Sequence, residues 1–189
     1  MSPELHSKRL ELLKEMIPRI SRVAVLRNVV SPGATKATGP GITRRLMGVA
    51  QSVGVQIQIL NVKKPDEIEN AFASMARGKA DALLVTSPAM FVVNRAQVVE
   101  LAAKSRLPAT YPDSRFTDSG GLMSYGPNNA EMYHRAAYFV DRILKGAKPA
   151  DLPVEQPTKF ELVINLKNAK QTGVTIPPKV LMWADRVIE

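Results

Sequence analysis

KGAKPADLPVEQPTKFELVINLKNAKQTG, residues 145–173, carries the reading that decides the fold. A long helical pattern ends in its first residues. The eleven residues from Ala147 to Pro157 follow, with prolines at 149, 153 and 157. Then the apolar run FELVIN, 160–165, reads as a strand. Connections inside an α/β unit usually take about 2–6 residues. This one is longer, and its prolines hold it extended. A stiff connector of that kind suits a chain passing from one lobe of a protein to another.

Upstream, the chain alternates regularly. Leu10, Leu13 and Ile17 recur at helical spacing, and Pro18 closes that helix. RVAVLRN (22–28) is a short β-branched run, the mark of a buried strand. ITRRLMGVAQSVG (42–54) reads as a helix stopped by Gly54, and VQIQILNV (55–62) as a second strand. Pro65 opens a helix at its first turn, with Asp66, Glu67 and Glu69 near its positive end. ADALLVTS (80–87) is a third strand, RAQVVELAAKSR (95–106) a helix and LPATYPD (107–113) a fourth strand. Strand and helix alternating at about 30 residues per unit predict right-handed crossovers and a parallel sheet. The expected strands are 22–27, 55–60, 81–85 and 108–111, joined by 160–164. Ligands of such sheets bind outside the carboxyl ends of the strands. Those ends lie at residues 28–38, 86–88 and 111–113.

Composition narrows the function classes. The chain has 189 residues, 45% of them hydrophobic, enough for a real core. It has no cysteine, which excludes disulfides and thiolate metal sites. No apolar run approaches the roughly 20 residues that span a bilayer, and Met1–Glu4 leads straight into a helix without a signal peptide. The net charge of +9 is concentrated in residues 1–64, which hold 11 Lys or Arg against 3 acids. That third contains no Phe, Tyr or Trp, so the excess reads as a solvated basic face and not as a nucleic-acid surface.

Enzyme signatures fail on spacing. SPGATKATGPG (31–41) lacks both the G-x-x-x-x-G-K-[ST] phosphate loop and the dinucleotide G-x-G-x-x-G. No G-x-S-x-G elbow occurs. His6 and His134 lie on helical patterns without a second ligand at i+4, which predicts surface or partly packed histidines and no metal or other cofactor. Asp113 stands at a strand end, where it could bind a ligand or simply form a turn.

GGLMSYG (120–126) is strand-like, and a helix from Pro127 to about Lys145 follows. Its apolar stripe is Ala130, Tyr133, Ala137, Val140 and Leu144, widened by Ala136 and Ile143.

The runs SPELHSKRLELLKEMIPRISRVAVLRN, ADALLVTS, SGGLMSYGPNN and, most specifically, ILKGAKPADLPVEQPTKFELVINLKNAKQTGVTIPP carry a resemblance. They are similar to the second half of bacterial ABC-transporter substrate-binding proteins of the tryptophan- and tyrosine-binding kind. The resemblance implies an α/β fold of the periplasmic-binding-protein type I, a parallel sheet flanked by helices, here mainly one lobe. It implies a non-enzymatic protein that captures a small solute such as an amino acid between two lobes and delivers it to an ABC permease. It places such a protein in the periplasm. It divides the chain into a second-lobe core (1–113), a strand and helix of the first lobe (114–150), and a hinge crossing with return to the second lobe (151–189). The chain then reads as a truncated form lacking most of the first lobe. The stripe on helix 127–144 is expected to bury itself by self-association. The binding residues expected are Asn28, Ser31 and Thr35 in the first loop, Ser87 in the second, Tyr111 and Asp113 in the third, and Tyr125 at the hinge. Hydroxyls and amides would meet a ligand carboxylate, Asp113 an ammonium, and a tyrosine ring could stack. The rival reading is the ligand-sensing domain of a regulator, since this fold serves both; no helix-turn-helix motif accompanies it.

Overall fold

The computed structural model describes residues 3–29 and 40–189. Seven strands form one sheet in the order β2-β1-β3-β4-β5-β6-β7. They are β1 (Arg22–Asn28), β2 (Gln56–Val62), β3 (Ala82–Val85), β4 (Ala109–Tyr111), β5 (Met123–Pro127), β6 (Phe160–Asn165) and β7 (Arg186–Ile188). The first five run parallel, β6 lies antiparallel to β5, and β7 pairs parallel to β6. This is the doubly wound α/β architecture expected from the alternation.

The strand sequences explain why both faces are covered. In β1, Val23 and Val25 face one core cluster while Ala24 and Leu26 face the other. In β3, Ala82 and Leu84 join the first, Leu83 and Val85 the second. A strand apolar at every position must have a layer on each side. One layer contains α1 (Pro3–Met16) and α2 (Pro40–Ser52). The other contains α3 (Ile68–Arg77), α4 (Ala89–Val93), α5 (Arg95–Lys104) and α6 (Ser114–Asp118). β2 is one edge strand, β7 the other, and β2 is only half-buried over most of its length.

One expectation is corrected. The family resemblance places residues 114–150 in the first lobe. In the structure α6 packs on this sheet, and β5 is a central strand of it. β5 pairs Thr110↔Met123 on one side and Met123↔Ile164 through Pro127↔Phe160 on the other. Met123 and Ser124 are wholly buried, so five residues with weak local signal are held by neighbours on both sides. The chain leaves the sheet after this strand, not before it. It departs at Pro127, forms α7 (Asn129–Leu144), and returns at Phe160, directly opposite its point of departure. The Asn128 N–H donates to the Lys159 carbonyl at 3.0 Å and closes the excursion.

α7 has a cap but no core. Asn128 accepts from the Glu131 N–H at 3.0 Å. None of its residues is buried, and Tyr133 and Leu144 are 73% and 82% exposed. After β6 come α8 (Leu166–Thr172), α9 (Pro178–Met182) and β7, which rejoin the α1 side. No helix among the described residues is long and apolar enough to cross a membrane.

Candidate functional site

The strand order 2-1-3-4-5 has its reversal point between β1 and β3, and the crevice there is where such sheets bind ligands. Asn28 ends β1. Its side-chain amide donates to the Val62 carbonyl at 2.9 Å, tying β1 to β2. Ser87 follows β3 and is half-buried. Thr86 beside it donates to the Leu26 carbonyl at 2.9 Å. Ser31 and Thr35 lie outside the described residues.

The loop after β4 holds most of the charge. The Asp113 carboxylate is buried and caps α6 by accepting from the Arg115 N–H at 3.1 Å. It also accepts from Arg115 Nε at 2.9 Å and Nη2 at 2.8 Å. This side-on pairing raises the guanidinium's pKa, chiefly through the hydrogen bonds to Asp113. Asp113 is therefore already bonded to a cation, not waiting for an ammonium.

Tyr111 departs furthest from the expected role. It is 1% exposed, and its ring stacks on Phe116 at 5.0 Å in the core on the α6 side. Burial pushes its phenol pKa upward. Two faces of a strand alternate, and position 111 faces inward. Tyr125 packs on the α1 side instead, with its ring 6.1 Å from that of Phe160. The two tyrosines do not come together.

A buried pair on α1 joins the strand ends. Arg9 is fully buried. Its Nε donates to the Tyr125 carbonyl at 2.6 Å and its Nη2 to the Pro112 carbonyl at 3.1 Å. Its Nη1 lies 3.1 Å from His6 Nδ1. His6 is also buried, and burial together with the adjacent Arg9 charge lowers its pKa to about 3. The imidazole is neutral, so Nδ1 accepts from Arg9. Burial lowers the Arg9 pKa to about 10, with Asp113 pulling in the opposite direction, and the guanidinium stays charged at neutral pH. Sequence reasoning gave His6 only a surface or partly packed place and assigned Arg9 nothing. Their signal was available: positions 6, 9, 10, 13 and 16 share one helical face, and three of them are buried Leu or Met.

Just beyond β5, Asn128 Nδ2 donates to Glu161 Oε2 at 3.0 Å. A separate groove of about 720 Å³ lies behind α7, lined by Met132, Arg135, Phe139, Glu155 and Pro157. Asn128 and Lys159, beside the end of β5 and the start of β6, also line it, and the Arg135–Glu155 ion pair lies along its wall. No group of three or more His, Cys, Asp or Glu among the described residues could hold a metal.

Comparison with known proteins agrees with this geometry. A crystallised protein from Streptococcus pneumonia, described as an ABC domain in complex with L-Trp, is 26% identical. It superposes with a TM-score of 0.82 over 97% of this chain and 62% of its own. A conserved domain protein from Vibrio cholerae is 24% identical, with a TM-score of 0.82 over 96% of this chain and 60% of its own. A ligand-free, open substrate-binding protein with adhesive properties from Clostridium difficile is 20% identical, with a TM-score of 0.64 over 96% of this chain and 59% of its own. The chain thus spans about 60% of the length of these solved relatives. A search of curated proteins finds no significant match. The family model for ABC transporter substrate-binding proteins matches residues 3–188, and the chain belongs to that family, a binding family and not an enzyme family, with the α/β fold of periplasmic binding proteins.

Proposed function

We infer that this chain supplies one wall of the solute cleft of an ABC importer's binding protein, and that the solute is an amino acid. The observation that carries this is the charged edge at the ends of β4 and β5. There a buried carboxylate and two guanidiniums converge outside the strands, in a family member similar to a protein described with L-Trp. Two cations face one carboxylate there, and that positive excess suits the carboxylate end of an amino acid. Ser87, Asp113 and the end of β1 at Asn28 form its floor in this reading, with Ser31 and Thr35 in the loop beyond. Tyr125 stands at the hinge, and Tyr111 supports the Asp113 loop from beneath. Residues 128–159 belong to the opposite lobe, and the whole protein works in the periplasm with an ABC permease.

One wall alone binds weakly. If a complete receptor binds at about 1 μM, roughly −8 kcal/mol, half the contact free energy corresponds to a dissociation constant near 1 mM. The 189-residue chain should therefore show millimolar binding of L-tryptophan by NMR titration, with shifts at residues 86–88 and 113–115. No shift there with any amino acid at about 10 mM overturns the amino-acid reading. Micromolar binding, abolished by Asp113→Ala, overturns the division of the site between two walls.

The assembly counterpart concerns α7. Its exposed Tyr133, Val140 and Leu144 form an apolar stripe of the kind that marks an interface. Burying about 600 Å² of apolar surface would contribute on the order of 15 kcal/mol before ordering costs. Self-association of this chain through α7 is the expected result. Light scattering should give a dimer mass at micromolar concentration, and a monomer would rule the contact out.

A further inference from the structure

We propose that Arg115 is the residue that captures the ligand's carboxylate, through the end of its guanidinium that points away from Asp113. This rests on the amino-acid reading and assigns a group within that site. Arg115 stands four residues beyond the end of β4, on the edge where the sheet's ligand crevice lies. Its side chain is 44% exposed, while that of its partner Asp113 is 6% exposed. Asp113 engages Nε and one N–H of Nη2. Nη1 makes no hydrogen bond among the described residues, and Nη2 keeps a second N–H. That pair of nitrogens is the fork that matches a carboxylate with two parallel bonds.

Two features make it a built site. The guanidinium is held by a carboxylate that is itself fixed as the cap of α6, so little freedom is lost on binding. The local charge is unbalanced, because buried Arg9 lies against the neighbouring Pro112 carbonyl and also acts on Asp113. Two cations share one carboxylate, leaving a positive excess that favours an anion over a second cation.

The test compares three probes in NMR titrations of the 189-residue chain: L-tryptophan, indole-3-propionate, which keeps the carboxylate and lacks the ammonium, and tryptamine, which does the reverse. Arg115→Gln should weaken L-tryptophan and indole-3-propionate by at least about tenfold, the loss of a charge-assisted pair, and leave tryptamine unchanged. Arg115→Lys keeps the charge without the fork and keeps a partner for Asp113, and should fall between the two. If the wild type binds L-tryptophan and both variants bind it equally well, the assignment of Arg115 is wrong and the amino-acid reading stands. Equal weakening of all three probes would show that Arg115 only shapes the loop and would also overturn the assignment. If no probe binds the wild type, the amino-acid reading fails and the assignment falls with it.

Discussion

Gly126→Ala is expected to destabilise the protein by about 3 kcal/mol, the upper end of the usual cost of overpacking. Gly126 sits in β5 opposite Glu161, just before the chain leaves the sheet. A Cβ built there would lie 1.9 Å from the Pro112 carbonyl oxygen and 3.0 Å from its carbon. Both are backbone atoms and cannot swing aside like the end of a side chain. The same oxygen accepts from Arg9 Nη2, so moving it also breaks the anchor of a fully buried cation. A loss of that size lowers the melting temperature by about 6–12 °C in a chain of this length. Gly48→Ala is the control: it lies on α2 with nothing within 4 Å of the added atom, and alanine there should be neutral or stabilising by about 0.5–1 kcal/mol. Calorimetry of the two variants checks the contrast. A Gly126→Ala melting point within about 2 °C of the wild type would show that the strands yield without cost.

Acid should weaken the fold before most carboxylates titrate, and His6 is the reason. Its pKa is about 3 in the folded protein and about 6.5 when exposed, because burial and Arg9 both oppose a second positive charge. The unfolded chain therefore binds more protons between those values, and stability falls as pH drops through 6.5 toward 3. Between pH 7.5 and pH 5 the loss from this residue amounts to about 2 kcal/mol. Arg9 keeps its charge across this range, so the conflict grows only through the imidazole. His6→Gln retains an acceptor for Arg9 Nη1 and removes the titration. Urea unfolding at the two pH values should show the wild type losing about 2 kcal/mol more than the variant. Parallel pH profiles would mean that His6 is not the proton acceptor that governs the transition.

The amino-acid sequence by itself determined the fold class and most of the strands. Val23–Leu26 and Ala82–Val85 are apolar at every position, and only a strand with a layer on each side accommodates that. The runs from ADALLVTS to FELVIN likewise pointed to the family that residues 3–188 match. Tertiary structure decided where the chain leaves the sheet. β5 has five residues and little periodic signal, and its place between β4 and β6 comes from hydrogen bonds that the sequence does not print. Connector length suggested a crossing between lobes; the structure shows the chain leaving the sheet at Pro127 and returning to Phe160 beside it. The site divides in the same way. That Asn28, Ser87 and Asp113 lie at strand ends, where parallel sheets place their ligands, was legible. The face toward which Tyr111 turns was not, since it depends on which layer closes over position 111. Nor was the burial of Arg9: a cation on an apolar helical stripe is tolerable only where backbone carbonyls arrive to meet it. Those carbonyls, of Pro112 and Tyr125, come from more than a hundred residues away in the chain.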